Sequence, residues 1–485
     1  MKTIHIIGGG LAGPEAALQA ASLGCKVILS EMRPLRSTEA HQTSDFAELV
    51  CSNSLKSESE NSAPWLLKQE MRRANSFLLQ AADATAVPAG HALAVDRALF
   101  SARVAHLISQ HPNIETRREE VTHLHENDPD TITILASGPL TSSPLAVELQ
   151  RLTGTEQLAF YDSISPIVDA ASIDMDKVYF AARWDKGTAD YINCPFTKPE
   201  YEAFIDALAA AEKIHHKPWE QIPASPSLSF RSAAEESGAP RLDSETWVST
   251  ETAGTTKAPK PPQYFEGCLP IEETARRGRD TLRFGPMKPA GLTDPRTGRW
   301  PYACVQLRQE TLRADSYNLV GFQNSLKYGE QARILRMIPG LENAKFLRYG
   351  QVHRNTYIHA PSLLTETLQL KQHPSILIAG QLSGVEGYTE SIASGLLAGR
   401  YAAALARGEQ PTPAPRLTAN GSLTHYITHA ESRHFQPANI TFDLLVPLEE
   451  ELRKKIRDKK ERHRLQCERA LTAWDAWLRA SASQA

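Results

Sequence analysis

Short apolar runs rich in β-branched residues alternate with glycine-rich turns in the first part of the chain. Residues 3–7 form one such run, the glycine-rich segment 8–13 follows it, and an alanine-rich stretch occupies residues 14–22. A second apolar run at residues 26–30 ends at Glu31. This order predicts a strand, a tight turn, a helix and a second strand, which is the β-α-β unit of doubly wound α/β folds.

Two more apolar runs have the length of strands and end at turn residues. Residues 131–136 are followed by a Ser-Gly-Pro turn, and residues 375–379 are followed by Gly380. Both runs are interpreted as strands of the first sheet. We therefore expect one α/β domain that is assembled from both ends of the chain.

Two segments depart from this pattern. Residues 222–263 contain six prolines, many Ser and Thr and little periodicity, and they predict a looped insertion without chemistry. Residues 447–480 have a helical period and are strongly charged, with eight basic and two acidic residues between Arg453 and Arg464. A charged helix is expected there.

Length, composition and net charge set the number of domains but exclude few classes of protein. The 485 residues exceed the roughly 250–300 at which a single core stops growing, so at least two domains are expected. Hydrophobic residues make up 41% and charged residues 22%, as in ordinary globular proteins. The formal net charge of -3 provides no overall attraction to polyanions, so any nucleic-acid surface must be a local basic patch.

The N-terminus and the cysteines indicate the compartment. Met1 is followed directly by the first strand without the features of a signal peptide, and no apolar run approaches the roughly 20 residues that span a bilayer. The cysteines form no C-x-x-C pair, which argues against a disulfide scaffold and a zinc site. We expect a cytoplasmic protein with no membrane segment and no metal. The cysteines are Cys25, Cys51, Cys194, Cys268, Cys304 and Cys467.

The glycine-rich turn has the spacing of a dinucleotide-binding fingerprint. Gly8 permits the tight turn, Gly10 lets the backbone approach a pyrophosphate, and Gly13 allows close packing of the helix. The helix N-terminus supplies free N–H groups, and Glu31 is placed to bind a ribose hydroxyl. The fingerprint by itself does not separate NAD from FAD.

Two further features favour FAD. The turn at 136–139 resembles the strand-end element of two-part flavoproteins, and residues 380–388 open a second helix whose N-terminus would face the flavin or its linker. The expected cofactor-binding residues are Gly8, Gly9, Gly10, Leu11, Ala12, Gly13, Glu31, Gly138, Gly380, Gln381, Gly384, Gly387 and Tyr388.

Long and idiosyncratic motifs recur along nearly the whole chain. They are residues 8–31, ELVCSNSL at 48–55, VPAG at 87–90, AVDR at 94–97, FEGCLPIE at 265–272, FGPMKP at 284–289, YNLVGFQN at 317–324 and the segment 380–391. Taken together and in this order, they resemble the TrmFO family of FADH2-oxidising methylenetetrahydrofolate-tRNA-(uracil-5-)-methyltransferases. The sequence departs from the family pattern at the 222–263 insertion, at His91, where glycine is expected, and at Ser325, where histidine is expected.

The resemblance implies a fold. It is a glutathione-reductase-like, Rossmann-type FAD-binding domain with a smaller inserted α/β domain, and GidA flavoproteins are relatives of the same fold. The implied division is a FAD-binding domain at 1–177 and 346–446, an inserted domain at 178–345, and a charged C-terminal helix at 447–485.

The resemblance also implies a reaction. Methylenetetrahydrofolate supplies one carbon to the 5-position of a uridine in the T-loop of tRNA, and reduced FAD turns the methylene into a methyl group. NADH or NADPH then recharges the flavin. The expected partners are tRNA and folate, with no obligate protein partner.

Two cysteines lie in motifs that look like the functional cysteines of the family. Cys268 is the expected nucleophile that adds to the 6-position of uracil, because this addition activates the 5-position and a thiolate adds well. Cys51 is expected beside the flavin, where it assists proton transfer or holds a folate or flavin intermediate. The other four cysteines are expected to be small buried hydrophobes.

Folate and tRNA have weaker candidates. His353 and Arg354, with Asn355 beside them, combine an aromatic face with a cation and suit a planar anionic ligand. A basic segment after Cys268 and the basic tail are the candidate surfaces for phosphate. The expected tRNA contacts are Arg276, Arg277, Arg279, Arg283 and Lys288.

Two other functions stay open at this point. One is a GidA-type flavoenzyme that installs a different uridine modification together with a partner protein. The Cys268 motif and the lack of that family's long helical C-terminal domain argue against it. The other is a flavin-binding, RNA-binding protein without turnover, in which FAD is structural.

Overall fold

The computed structural model of the chain describes residues 1–126, 128–155, 158–185, 188–214, 269–432 and 435–482. The strands are β1 (Thr3–Ile7), β2 (Val27–Glu31), β3 (Ser54–Ser57), β4 (Ala86–Val87), β5 (Ala92–Val95), β6 (Ile114–Arg118), β7 (Thr131–Leu135), β8 (Leu158–Ser163), β9 (Ile167–Asp169), β10 (Tyr179–Ala181), β11 (Tyr191–Phe196), β12 (Ala303–Gln309), β13 (Ser316–Leu319), β14 (Phe346–Arg348), β15 (Val352–Tyr357) and β16 (Ile376–Ile378). The helices are α1 (Ala12–Ser22), α2 (Ala63–Arg73), α3 (Phe77–Ala84), α4 (Arg97–Gln110), α5 (Ser143–Thr153), α6 (Lys198–Ala209), α7 (Ile271–Arg276), α8 (Thr281–Phe284), α9 (Tyr328–Leu335), α10 (Ala360–Leu363), α11 (Tyr388–Ala406), α12 (Ala419–His429), α13 (Glu450–Lys455) and α14 (Lys459–Ala482).

Five parallel strands form the main sheet, in the order β16-β7-β1-β2-β6. β1 lies at the centre, between β2 and β7, and β16 extends the sheet beside β7. This is the strand order of doubly wound dinucleotide-binding folds. The predicted α/β class with a Rossmann-type sheet is confirmed, and the strands predicted at 3–7, 26–30, 131–136 and 375–379 all belong to this sheet.

The sequence pattern did not predict the edge strand β6. Only its first residue, Ile114, is apolar, and the four residues that follow are exposed. The strand is defined by backbone pairing with β2, from Val27 opposite Ile114 to Glu31 opposite Arg118. An edge strand with solvent on its faces has no alternation of apolar and polar residues to detect.

Helices α1 and α11 pack so closely that their backbones are in contact. A Cβ atom on Gly395 would lie 2.8 Å from the Cα of Ala12, and a Cβ atom on Gly399 would lie 2.5 Å from the carbonyl oxygen of Ala16. The alanine-rich face of α1 is buried in this contact. Small residues on both helices therefore hold the start of α1 against the early turns of α11.

Six strands form a second, antiparallel sheet in the order β10-β11-β12-β13-β9-β14. Helices α6, α7 and α9 contribute to its separate core, and α6 begins at a capping box formed by Thr197 and Glu200. β9 and β14 lie just outside the expected limits of 178 and 345. The division of the chain into domains stays a prediction.

The charged segment expected as one helix at 447–485 contains two helices, α13 and α14, with a break at residues 456–458. The apolar part of α14 is packed rather than solvated. Trp474 is fully buried, stacks on Trp477 and donates its indole N–H to the carbonyl oxygen of Glu70 at 2.6 Å. Among the described helices, none combines the length and the apolar character needed to cross a membrane.

Candidate functional site

A cleft opens at the carboxyl ends of β1, β2 and β7. Ligands of doubly wound sheets bind at this edge. Ten of the thirteen expected cofactor-binding residues line the cleft: Gly8, Gly9, Gly10, Leu11, Ala12, Glu31, Gly138, Gly380, Gln381 and Tyr388. The other three, Gly13, Gly384 and Gly387, lie outside its lining.

The glycines of the first turn differ in the space around them. A side chain on Gly8, whose φ is +117°, would collide with the backbone at Ala136, and one on Gly13 would collide with the carbonyl oxygen of Gly8. Gly10 is different, since no atom lies within 4 Å of the position that a Cβ atom would take there. Gly8 and Gly13 thus serve the fold, while Gly10 leaves open space at the N-terminus of α1, where a phosphate group fits.

Glu31 is held rigidly at the floor of the cleft. Its Oε2 accepts a hydrogen bond from the backbone N–H of Gly9 at 2.6 Å, and its Oε1 accepts from Nε of Arg33 at 2.8 Å. Arg33 also contacts Glu48 at 3.0 Å. Burial alone would raise the pKa of the Glu31 carboxyl, but the hydrogen bonds and charge of Arg33 outweigh burial and lower it. Glu31 is therefore a fixed, charged acceptor at the end of β2.

Gly384 and Gly387 shape the turn that leads into α11. A side chain on Gly384 would meet the ring of Phe435 at 2.5 Å, and one on Gly387 would lie 2.6 Å from both Glu390 and Lys56. Both residues have positive φ, +93° and +108°. Their packing places Tyr388, the first residue of α11, in the wall of the cleft.

Cys51 lies at the edge of the cleft. Its backbone N–H donates to the hydroxyl oxygen of Tyr388 at 2.6 Å, and its backbone carbonyl accepts from Nη2 of Arg97 at 3.4 Å. Its neighbour Val50 lines the cleft, and Cys51 itself is partly exposed. The thiol also interacts electrostatically with Arg97 and Arg348. The main chain of Cys51 is thus fixed from both sides, and the residue as a whole is partly exposed.

Arg97 connects the Cys51 loop to the second sheet. Its Nε lies 2.6 Å from Oε2 of Glu310, which is almost fully buried, and its Nη1 donates to the carbonyl oxygen of Leu49 at 2.6 Å. Burial disfavours the charged guanidinium, but Glu310 outweighs burial and raises the pKa of Arg97. This ion pair therefore joins the start of α4 to the end of β12, next to the main chain of Cys51.

Asn53 completes this connection and is fully buried. Its Nδ2 donates to the carbonyl oxygens of Val95 at 3.1 Å and Gln309 at 2.9 Å. Its Oδ1 accepts from Nε of Arg308 at 3.0 Å and from Nδ2 of Asn318 at 3.2 Å. Sequence reasoning assigned no role to Asn53, Arg97 or Glu310. The signal available was that Asn53 and Arg97 are polar residues within the long motifs at 48–55 and 94–97.

Cys268 and the 222–263 insertion lie outside the described residues. The basic residues that follow Cys268 are described. Arg276 pairs with Glu273 at 3.0 Å, Arg283 pairs with Asp280 at 3.2 Å, and Arg279 pairs with Asp206. Arg277 and Lys288 are exposed. Acidic partners thus offset part of the positive charge expected from this segment.

The side chains of His353 and Arg354, the expected folate residues, also lie outside the described part of the structure. Their backbones belong to β15, which pairs with β8. Asn355 beside them is buried, and its Oδ1 has no hydrogen-bond partner among the described atoms. The folate assignment stays a prediction.

The remaining expectations concern four buried thiols and two departures from the family pattern, Ser325 and His91. Cys25, Cys194, Cys304 and Cys467 are buried, and burial raises the pKa of each thiol, to about 12 for Cys304 and Cys467. Ser325 donates through its backbone N–H and its hydroxyl to Oε1 of the buried Glu272. His91 is exposed.

Comparisons with known proteins agree with this arrangement. A family model described as GIDA, glucose inhibited division protein A, matches residues 3–245 and 245–410. A Koribacter versatilis protein named methylenetetrahydrofolate–tRNA-(uracil-5-)-methyltransferase TrmFO is 61% identical over 99% of this chain and 98% of its own length. Proteins of the same name from Solibacter usitatus and Enterococcus faecalis are 56% and 49% identical, over 99% and 97% of this chain and of their own lengths.

The solved structure of Aquifex aeolicus GidA, in its form II crystal, shares the fold. It aligns with a TM-score of 0.66 and 16% identity, and the match covers 98% of this chain and 73% of that chain. The relatives that match over nearly their full length at high identity identify the family more specifically than the shared fold does. The chain belongs to the TrmFO family, within the wider group of proteins that match the GIDA model.

Proposed function

We propose that this chain methylates the 5-position of a uridine in the T-loop of tRNA, with methylenetetrahydrofolate as the one-carbon donor and reduced FAD as the reductant. The observation that carries the proposal is the position of Cys51, which is bonded through its main chain to Tyr388 in the wall of an open dinucleotide cleft. It occurs in a chain 61% identical to a protein named for this reaction.

The cleft suits FAD. The space at Gly10 and the N-terminus of α1 would hold the pyrophosphate, and the fixed carboxylate of Glu31 would accept from the ribose. Tyr388 and Gln381 line the opposite wall, where the flavin ring would lie. Bound FAD in its reduced form supplies the two electrons that convert the transferred methylene into a methyl group. NADH or NADPH is the proposed source of those electrons.

Cys268 and Cys51 are the proposed catalytic residues and act in different steps. The thiolate of Cys268 adds to the 6-position of uracil, which makes the 5-position nucleophilic, and it leaves once the 5-position has lost its proton. Cys51 stands at the flavin side, where it moves a proton during methylene transfer. Arg97 positions Cys51 through its main chain and does not itself act on the substrate. His353 and Arg354 are the proposed folate residues.

tRNA would reach the cleft across a basic surface. The proposed phosphate contacts are the basic residues of this segment, and those that pair with acidic side chains would exchange these partners for phosphate; the residues are Arg276, Arg277, Arg279, Arg283 and Lys288. The proposed tRNA substrate favours a cytoplasmic location.

The proposed reaction is tested with purified protein, FAD, NADPH, unmodified tRNA and methylenetetrahydrofolate labelled in its methylene group. We expect label in 5-methyluridine, and no product when S-adenosylmethionine is the only one-carbon donor. A different modified uridine, formed only with a partner protein, would move a GidA-type reaction to the front. A protein that holds FAD and binds tRNA but forms no product would instead support non-catalytic RNA binding.

Two neighbouring glycines separate cofactor binding from folding. Gly10→Ala is expected to weaken FAD binding about tenfold or more, which is about 1.4 kcal/mol, because its methyl group fills space that only a ligand would occupy. Gly13→Ala is expected to destabilise the FAD-free protein by about 1–3 kcal/mol, because its methyl group collides with Gly8. Equilibrium binding of FAD and denaturant unfolding of the FAD-free protein measure the two effects. Equal FAD affinity in wild type and Gly10→Ala would contradict the proposal that the pyrophosphate binds at Gly10.

A further inference from the structure

Two histidines on α12 and one glutamate beside it bring imidazole and carboxylate groups together at a place outside the cleft lining. His425 and His429 lie one turn apart at the end of α12, and Glu366 lies in the loop after α10. Nδ1 of His425 and Nδ1 of His429 lie 3.0 Å and 3.7 Å from the same Oε1 of Glu366. One donor atom from each residue lies within 4.8 Å of the other two. The cluster is partly exposed, so an ion has access to it.

The spacing of these donors resembles that of a metal site. A tetrahedral Zn²⁺ with bonds of about 2.0–2.1 Å holds its ligand atoms about 3.4 Å apart. The two distances to Glu366 lie on either side of this value. The imidazole rings are stacked and nearly parallel, with centroids 4.3 Å apart and an interplanar angle of 14°. Since the lone pair of each nitrogen lies in its ring plane, one ring has to rotate for both histidines to bind the same ion.

We propose that Glu366, His425 and His429 form a binding site for one divalent transition-metal ion, with Zn²⁺ as the best fit. Imidazole with one carboxylate suits Zn²⁺, Ni²⁺, Co²⁺ or Cu²⁺ rather than Mg²⁺ or Ca²⁺, which take mainly oxygen ligands. Three protein ligands leave a fourth position for water. The site contains no cysteine, so the expectation of no metal, which rested on cysteine spacing, did not address it.

A metal ion that binds to the cluster would change the contacts of its neighbouring residues. The hydroxyl of Thr428 lies 2.9 Å from Nδ1 of His429, so a metal bond at that nitrogen replaces this hydrogen bond. Arg416 interacts electrostatically with Glu366 and opposes a cation there, although its guanidinium is engaged by the hydroxyl of Ser422 at 2.6 Å. A bound ion would join the loop after α10 to the end of α12.

The test is a Zn²⁺ titration of the full-length, FAD-loaded protein by isothermal calorimetry. We expect one Zn²⁺ per chain with a Kd on the order of 10 µM, and binding at least about tenfold weaker in His425→Ala, His429→Ala and Glu366→Gln. His359→Ala is the matched control, because His359 is a nearby histidine that bonds to Ser362 and Ser432 instead. Its affinity for Zn²⁺ is expected to equal that of the wild type.

Two controls exclude Zn²⁺ binding to thiols and loss of the fold as causes of a change in affinity. The titration is repeated in a Cys51→Ala, Cys268→Ala background, and thermal unfolding without metal is compared for all variants. If His425→Ala unfolds, the isosteric Glu366→Gln decides the question. The proposal is overturned if the histidine and glutamate variants bind Zn²⁺ as tightly as the wild type, or if the wild type binds it no tighter than about 1 mM.

Discussion

Replacing Cys51 with alanine is expected to lower tRNA methylation by about a hundredfold to ten-thousandfold, the loss typical of a missing general acid–base group or nucleophile. FAD content is expected to stay close to wild type, because alanine keeps the main-chain hydrogen bonds that join this position to Tyr388 and Arg97. Cys25→Ala is the matched control, since that thiol is fully buried within the same core. It is expected to keep its activity per folded molecule.

The role of Cys268 is distinguished by trapping. A tRNA that carries 5-fluorouridine at the target position cannot lose its 5-substituent as a proton, so the thiol that has added to the 6-position stays attached. Mass spectrometry of the digested adduct is expected to find the nucleotide on the peptide that contains Cys268. Attachment to the Cys51 peptide would exchange the two proposed roles, and a fully active Cys51→Ala enzyme would remove Cys51 from the mechanism.

Arg97→Ala is expected to lower the free energy of unfolding by about 3–5 kcal/mol, because it leaves Glu310 charged and buried without its partner. The variant also removes donors from the carbonyl oxygens of Leu49 and Cys51, so methylation is expected to fall with it. Denaturant unfolding with FAD bound and with FAD removed measures the stability effect. The same preparations measure activity.

An exposed ion pair serves as the control for this prediction. Arg117 pairs with Glu115 at 2.6 Å on the surface, and Arg117→Ala is expected to leave the free energy of unfolding close to that of the wild type. In a double-mutant cycle, Arg97→Met with Glu310→Met is expected to be less destabilising than the sum of the single changes, because neither member of the pair is left charged without the other. Equal losses for Arg97→Ala and Arg117→Ala would contradict the inferred role of the buried pair.

The first β-α-β unit could be predicted because its signals are local. The apolar run at 3–7, the glycines after it and Glu31 lie within one short segment, and each acts on its immediate neighbours. Most of the expected cofactor residues consequently lie in one cleft. Gly384 and Gly387 have the glycine spacing of a binding loop, but their surroundings show that they shape the turn before Tyr388.

The surroundings of Cys51 could not be predicted in the same way. Its main chain bonds to Tyr388 across 337 positions of sequence, and Arg97 reaches Glu310 across 213. A buried ion pair leaves no pattern in composition or periodicity, because each partner alone resembles a surface charge. The apolar half of α14, with Trp474 inside the core, was hidden within a segment that is charged on average.

By itself the sequence determined the class of fold, the family and the positions of the cofactor turn and the candidate cysteines, because periodicity, glycine spacing and contiguous motifs are properties of short stretches of chain. Only the tertiary structure decided which distant groups meet. It paired Glu310 with Arg97, bonded Tyr388 to the main chain of Cys51, and placed Glu366 beside the histidines of α12. The physical reason is that burial and hydrogen-bond pairing depend on how the two sheets and the C-terminal helices pack, and packing is a property of the whole chain.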